Sequence, residues 1–170
     1  MIDKRALVVA IAVELQAELD TMTRLARDAA EAATHEENKP ENDKDMRSTE
    51  ASYLARGQAG RVAELSTAIA RLHALELRAF GARDEIDLSA LVELESTAAG
   101  SARAASGRAK TTCFVVPAGG GRRVRVDGAE VQSTTPESPL GEALCGFRAG
   151  DEVEVETPQG ARGYRIVAVR

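Results

Sequence analysis

Residues 134–170 read TTPESPLGEALCGFRAGDEVEVETPQGARGYRIVAVR, and the order of pieces in this stretch restricts the architecture more than any other part of the chain. Ser138 is placed to accept a backbone N–H as a helix N-cap. Pro139 has its φ preset for the first helical position, and Gly146 supplies the left-handed conformation that stops a helix. These signals predict two turns of helix over Pro139 to Cys145, with Leu140, Ala143 and Leu144 spaced to face a sheet. A turn at Ala149, Gly150 and Asp151 follows. Val153 and Val155 then alternate with Glu152, Glu154 and Glu156, which predicts a strand with one solvated face. Pro158 to Gly160 ends it, and Tyr164, Ile166, Val167 and Val169 predict a last strand that closes an antiparallel hairpin.

Upstream of this ending, Leu91 to Glu95 alternates as a strand, Thr111 to Val116 reads as a more buried one, and Arg122 to Val126 as a third, closed by the turn signal Asp127-Gly128. The run from Thr97 to Lys110 is built from Ala, Gly, Ser and Thr with Arg103, Arg108 and Lys110 and no acid. Its composition predicts a loop between strands, with a basic finger touching RNA as the alternative.

The first half has a different period. Val8, Ile11, Leu15, Leu19, Met22, Leu25, Ala29 and Ala32 recur at spacings of three and four from about Asp3 to Thr34. Ala51, Leu54, Gln58, Val62, Leu65, Ile69 and Leu72 do the same from about Met46 to Leu77. Stripes this narrow make the seam of a coiled coil. A connector containing Pro40 folds two arms of similar length back on each other, giving an antiparallel rod on the order of 45 to 50 Å long. Toward its far end the seam changes to alanine, which predicts a thin tip. Gly57 and Gly60 inside the second arm are expected to permit close helix contact near Ala29 and Ala30, with a bend as the other reading. The fold class is therefore α+β, with a coiled-coil hairpin over residues 1–78 and a small antiparallel β domain with one short helix over residues 79–170.

Charge separates the tip from the rest of the rod. Residues 36–50 hold six of the acidic side chains, Glu36, Glu37, Glu41, Asp43, Asp45 and Glu50, against Lys39, Lys44 and Arg47. A solvated loop with Asp45 as N-cap accounts for them, and so does a carboxylate cluster presented at the end of a stalk. Over the whole chain, 22 basic and 27 acidic residues argue against a protein that holds nucleic acid mainly by neutralising phosphates, and point to a protein partner. The chain is 44% apolar but only 3% aromatic, so the core is expected to be Ala, Val and Leu. Lys4 and Arg5 before an apolar run resemble an export signal until Glu14 interrupts it. Cys113 and Cys145 lack zinc-ligand spacing and read as reduced core thiols, so a cytoplasmic protein is expected. His35 and His73 stand alone and form no catalytic dyad; His35, beside Glu36, is placed to join a metal site or to stay in solvent.

The segment Glu137-Ser138-Pro139-Leu140-Gly141-Glu142-Ala143-Leu144, followed by Gly146, Gly150-Asp151-Glu152-Val153 and Thr157-Pro158, resembles the C-terminal domain of the Gre transcript-cleavage factors, which bind bacterial RNA polymerase. The resemblance implies an FKBP-like C-terminal domain and contact with the polymerase through Glu137, in place of the family's Asp, with Ser138 and Pro139. It also implies a coiled coil that enters the polymerase secondary channel. Its tip carboxylates, for which Glu41, Asp43, Asp45 and Glu50 are the candidates, would then act on an Mg²⁺ shared with the polymerase, with Asp43 and Asp45 as its ligands. The chain binds no cofactor by itself on this reading and is not itself an enzyme. The expected partners are RNA polymerase and the RNA 3′ end, with no membrane, and the chain is expected to be a monomer.

The tip departs from the family pattern. Cleavage-competent members pair an Asp and a Glu three residues apart, then carry Asn and, three residues later, Tyr; here Glu50, Thr49 and Ser48 precede Tyr53. Glu41, Asn42, Asp45, Arg47 and Glu50 to Ala55 resemble a divergent Gre-like branch instead, so channel binding is better supported than cleavage. A competitor without cleavage activity is the alternative. Two other classes stand beside it: a proline isomerase, which would need a pocket built from Phe80, Phe114, Phe147 or Tyr164, and a coiled-coil adaptor whose acidic tip serves only solubility.

Overall fold

A computed structural model of the chain describes residues 2–34, 47–81, 83–97, 110–158 and 160–170. The architecture is α+β, as the two sequence periods predict. Helix α1 spans Lys4–Thr34 and α2 spans Arg47–His73. Six strands follow: β1 (Leu91–Ser96), β2 (Lys110–Val115), β3 (Arg123–Val126), β4 (Ala129–Thr134), and, after a short helix α3 (Pro139–Leu144), β5 (Glu152–Thr157) and β6 (Gly160–Val169).

α1 runs for 31 residues without Gly or Pro. Asp3 starts it, its carboxylate accepting the Arg5 N–H at 2.8 Å and its carbonyl the Leu7 N–H at 3.1 Å. The compact units of the chain are Met1–Ala12 together with Arg71–Arg170, and Val13–Ala70. The start of α1 and the end of α2 thus share a unit, which makes the two helices antiparallel. Within Val13–Ala70 the helices are bridged where Arg61 donates to Glu18 at 2.8 Å, and Leu15 and Leu65 are buried.

Three expectations for the helices need correcting. The buried residues of α1 are Leu7, Ile11, Ala12 and Leu15, whereas Val8 is only partly buried and Leu25 is exposed. α2 ends at His73 instead of Leu77, because backbone groups beyond it bond elsewhere: the Arg78 N–H donates to Ser89 Oγ at 3.0 Å. Gly57 and Gly60 do not mark a close approach, since a Cβ at either would meet nothing within 4 Å. They only raise the entropy cost of forming α2. Gly57→Ala and Gly60→Ala are therefore each expected to stabilise the helical unit by about 0.5 to 1 kcal/mol, read as a rise in denaturation midpoint at constant slope.

The strands form one sheet in the order β3-β4-β2-β1-β6-β5. Four of its five pairings are antiparallel, but β2 and β4 run parallel, with Cys113 opposite Gln132 and Val115 opposite Thr134. The sheet is mixed where an all-antiparallel one was expected. The cause is β4, which the apolar pattern does not announce: Val131 is its one buried large apolar residue, and Ser133 and Thr134 fill its other buried positions. β6 is also longer than expected, beginning at Gly160 with φ 110, a backbone region that favours glycine.

The core of this unit lies between the sheet and α3. Val92, Leu94, Cys113, Val115, Val153, Ile166 and Leu144 are buried in it, with Leu140 and Ala143 packed at its edge. All three apolar positions read from the α3 sequence thus face the sheet. Ile86 fastens the preceding connector to α3's exit, its N–H donating to Phe147 O at 2.8 Å and its carbonyl accepting the Gly146 N–H at 2.9 Å. Among the described residues, no helix is long and apolar enough to cross a membrane.

The Ser138 loop as candidate binding site

Residues 135–138 form a loop between β4 and α3, and together with the flanking residues 133–134 and 139–141 its backbone leaves no slack. Ser133 is fully buried; its hydroxyl donates to Gly119 O at 2.6 Å and accepts the Arg122 N–H at 3.1 Å. Its own N–H donates to Arg122 O, and its carbonyl accepts the Gly121 N–H, both at 2.8 Å. Gly119 and Gly121 adopt φ 76 and 82 in the turn that makes these bonds, and a Cβ on Gly120 would come within 3.2 Å of the Thr135 backbone nitrogen. The glycine run before β3 therefore serves as a floor under the loop.

Ser138 closes the loop from the other side. Its φ of −79 and ψ of 153 are the extended geometry of an N-cap, and its hydroxyl accepts the Gly141 N–H at 3.1 Å. The same hydroxyl donates to Thr135 O at 2.7 Å and lies 2.6 Å from the Thr134 hydroxyl. A serine hydroxyl offers one donor and two acceptor sites, and these three contacts use all of them. The loop then folds so tightly over α3 that a Cβ on Gly141 would sit 1.9 Å from Thr135 O.

This geometry divides the three loop residues singled out by sequence. Ser138 faces inward and sets the loop's shape, whereas Glu137 and Pro139 are exposed, with Glu142 one turn further on also exposed. The exposed surface of the loop is an anionic, proline-stiffened corner on a rigid base. Sequence reasoning missed Ser133, Thr134 and Gly141 as the residues that build the base. The Gly119-Gly120-Gly121 run and the two Thr residues before Pro136 were the only signals for them.

The thiols near this loop are chemically quiet. Burial pushes Cys113 up to about 12. Burial, followed by the nearby Asp87 and Glu137 carboxylates, also raises Cys145. Both are free cysteines held as thiols, which agrees with their reading as core residues.

Beside α3 and the sheet lies a cleft of about 470 Å³, with Lys110, Thr112, Arg123, Glu130 and Tyr164 among its lining residues. Tyr164 is its one aromatic side chain; Phe114 is fully buried, Phe80 is in the core, and Phe147 is at the surface. The aromatic pocket that a proline isomerase needs is not assembled among the described residues.

Glu41, Asp43 and Asp45 lie outside the described residues, as do His35 and residues 98–109 of the basic run. Glu50 belongs to the first turn of α2, and His73 ends that helix, exposed. Among the described residues, no group of three His, Cys, Asp or Glu side chains is placed to hold a metal ion.

Comparison with known proteins bears on the same segment. Residues 128–170 match the family described as transcription elongation factor, GreA/GreB, C-term. Transcription elongation factor GreA of Cereibacter sphaeroides is 56% identical over 34 residues, which is 20% of this chain and 22% of that protein. An uncharacterized protein of Mycobacterium tuberculosis is 44% identical over 43 residues, 25% of this chain and 27% of that one. The chain thus matches only about a quarter, or less, of the length of these curated relatives. Among solved structures, GreA factor homolog 1 (Gfh1) of Thermus thermophilus is 20% identical with a TM-score of 0.35, covering 95% of each chain. Gfh1 of Thermus aquaticus is 23% identical with a TM-score of 0.39, covering 95% of this chain and 94% of that one.

Proposed function

We propose, from the premise that this chain is Gre-like and that residues 128–170 are a GreA/GreB C-terminal domain, that it is a transcription elongation regulator that docks on bacterial RNA polymerase. The observation that carries the reading is the Ser138 loop. Its hydroxyl and Gly141 are committed to holding a fixed turn, and that turn presents Glu137 and Pro139 to solvent. A rigid, pre-shaped corner loses little entropy when it binds, which suits it to a protein surface.

In this proposal the hairpin of α1 and α2 enters the secondary channel, and the carboxylates of residues 41–50 reach the active centre and the RNA 3′ end. Glu41, Asp43, Asp45 and Glu50 offer hard oxygen donors of the type Mg²⁺ accepts alongside phosphate oxygens, so the donor chemistry fits a metal shared with the polymerase. In a two-metal site such an ion activates the attacking water. The chain itself contributes position and charge, and the polymerase performs the chemistry. The departure of Ser48, Thr49 and Glu50 from the cleavage-competent tip pattern favours a second reading, a competitor that occupies the channel without stimulating cleavage.

A stalled, backtracked elongation complex separates these readings. Adding the chain is expected to change the rate of Mg²⁺-dependent RNA cleavage by about tenfold or more, a rise marking a cleavage factor and a fall marking a competitor. The triple substitution Asp43→Ala, Asp45→Ala, Glu50→Ala is expected to return the rate to that of polymerase alone while binding persists. A chain that binds and leaves cleavage and synthesis at their basal rates is an adaptor, which contradicts a role for the tip.

A further inference from the structure

Helix α3 is too short to cover the sheet it packs on. Its six residues give a length of about 9 Å, whereas six strands spaced by about 4.8 Å span about 24 Å. α3 lies against β5, where its Leu140, Ala143 and Leu144 close the core. Beside it the cleft of about 470 Å³ stays open.

The strand register places the cleft on the face that α3 packs against. Leu94, Cys113 and Val153 belong to the core under α3, and residues directly opposite them share their side of the sheet: Thr111 opposite Leu94, Gln132 opposite Cys113, and Tyr164 opposite Val153. On the same side, Arg123 stands opposite Gln132 and Arg162 opposite Val155. These five residues line the cleft, so the face changes from apolar under the helix to hydroxyl, amide and guanidinium beyond it.

The positive charge lies at the two ends. Arg123 on β3 and Arg162 on β6 are four strand spacings apart, about 19 Å along the sheet, with the neutral groups of Thr111, Gln132 and Tyr164 between them. Glu130 is the one acid of the lining, and it stands 3.8 Å from Arg123 in an exposed pair of a kind worth little. Lys110, the third cation of the lining, keeps Glu95 at 3.6 Å. Arg162 is exposed and has no ion-pair partner among the described residues. A guanidinium presents a planar fork of donors that matches a phosphate, and the hydroxyl and amide groups between the arginines suit the hydroxyls of a sugar.

We propose that this cleft binds a small sugar bisphosphate, with Arg123 and Arg162 each taking one phosphate and Thr111, Gln132 and Tyr164 bonding the hydroxyls between. Its volume is that of a small-molecule site. Two phosphates on one ligand act as linked groups: once the first is held, the second binds at high effective concentration, and losing either arginine removes that gain. The site is independent of polymerase docking, and its test uses the chain alone.

Isothermal titration of the full chain at one fixed ionic strength tests it. Fructose 1,6-bisphosphate is expected to bind saturably and at least about tenfold more tightly than fructose 6-phosphate. Arg162→Gln, at an exposed position, is expected to keep the parent's melting temperature and to weaken the bisphosphate about tenfold, to the level of the monophosphate. Glu130→Gln removes the one acid of the lining and is expected to tighten binding severalfold. Arg165→Gln is the control: it lies next to Tyr164 on β6 and so on the opposite face, 3.9 Å from Glu152, and is expected to leave affinity unchanged. Absence of saturable binding, equal affinity for the two sugars, parent-like affinity in Arg162→Gln, no gain in Glu130→Gln, or an equal loss in Arg165→Gln would each overturn the proposal.

Discussion

Gly141→Ala is expected to destabilise the β unit by about 3 kcal/mol or more, lowering its melting temperature by on the order of 10 to 20 °C. The reason is positional. The new Cβ would stand 1.9 Å from Thr135 O and 2.7 Å from its carbonyl carbon, and both atoms are backbone. Backbone cannot rotate away as a long side chain can. Thr135 is also held by Ser138, whose N–H and hydroxyl both donate to that same carbonyl. Relief must come from moving α3 off the sheet, which exposes the buried Leu144, or from breaking the loop.

Ser138→Ala gives the scale for comparison. It removes an N-cap and one hydroxyl partner of Thr134 but adds no atom that clashes, so the loss is about 1 to 2 kcal/mol. Scanning calorimetry on both variants tests the ordering. A Gly141→Ala variant as stable as the parent chain would mean that the loop yields freely, and the rigid corner on which the binding proposal depends would be lost.

How much of this could be read in advance depended on whether a feature had a local cause. The helix α3 was fully legible, because Ser138, Pro139 and Gly146 each act on the residues beside them. The β5–β6 hairpin followed from alternation alone, and the two long helices from their three-and-four spacing. What failed was non-local. β4 pairs in parallel with β2 and buries two polar residues, Ser133 and Thr134, and the partners of Ser133 lie in the turn at Gly119 to Arg122, far from it in sequence. No periodicity records that. Gly57 and Gly60 misled in the opposite sense: they imply close packing, and the space beside them is open. At the candidate site, the sequence singles out Glu137, Ser138 and Pro139 together, but not which of them shapes the loop and which face solvent. Only the three-way bonding of the Ser138 hydroxyl separates the residue that shapes the loop from those that face outward.

That division makes Glu137→Lys the most informative change at the surface. Glu137 is exposed at the corner, so reversing its charge is expected to alter folding stability by no more than about 0.5 kcal/mol. At an interface the same reversal places a cation where the partner's complementary groups expect an anion. Like-charge juxtaposition of this kind costs at least about 1.4 kcal/mol, or tenfold in affinity. Substitution of Ser138 would confuse the two effects, because it also deforms the loop.

The affinity of the full chain for bacterial RNA polymerase, titrated side by side for the parent and for Glu137→Lys at one salt concentration, is therefore the most direct examination of the proposed function. Saturable binding by the parent, weakened at least about tenfold in a variant of unchanged melting temperature, is the predicted result. A parent chain that does not bind the polymerase, or a variant that binds as tightly as the parent, would contradict it.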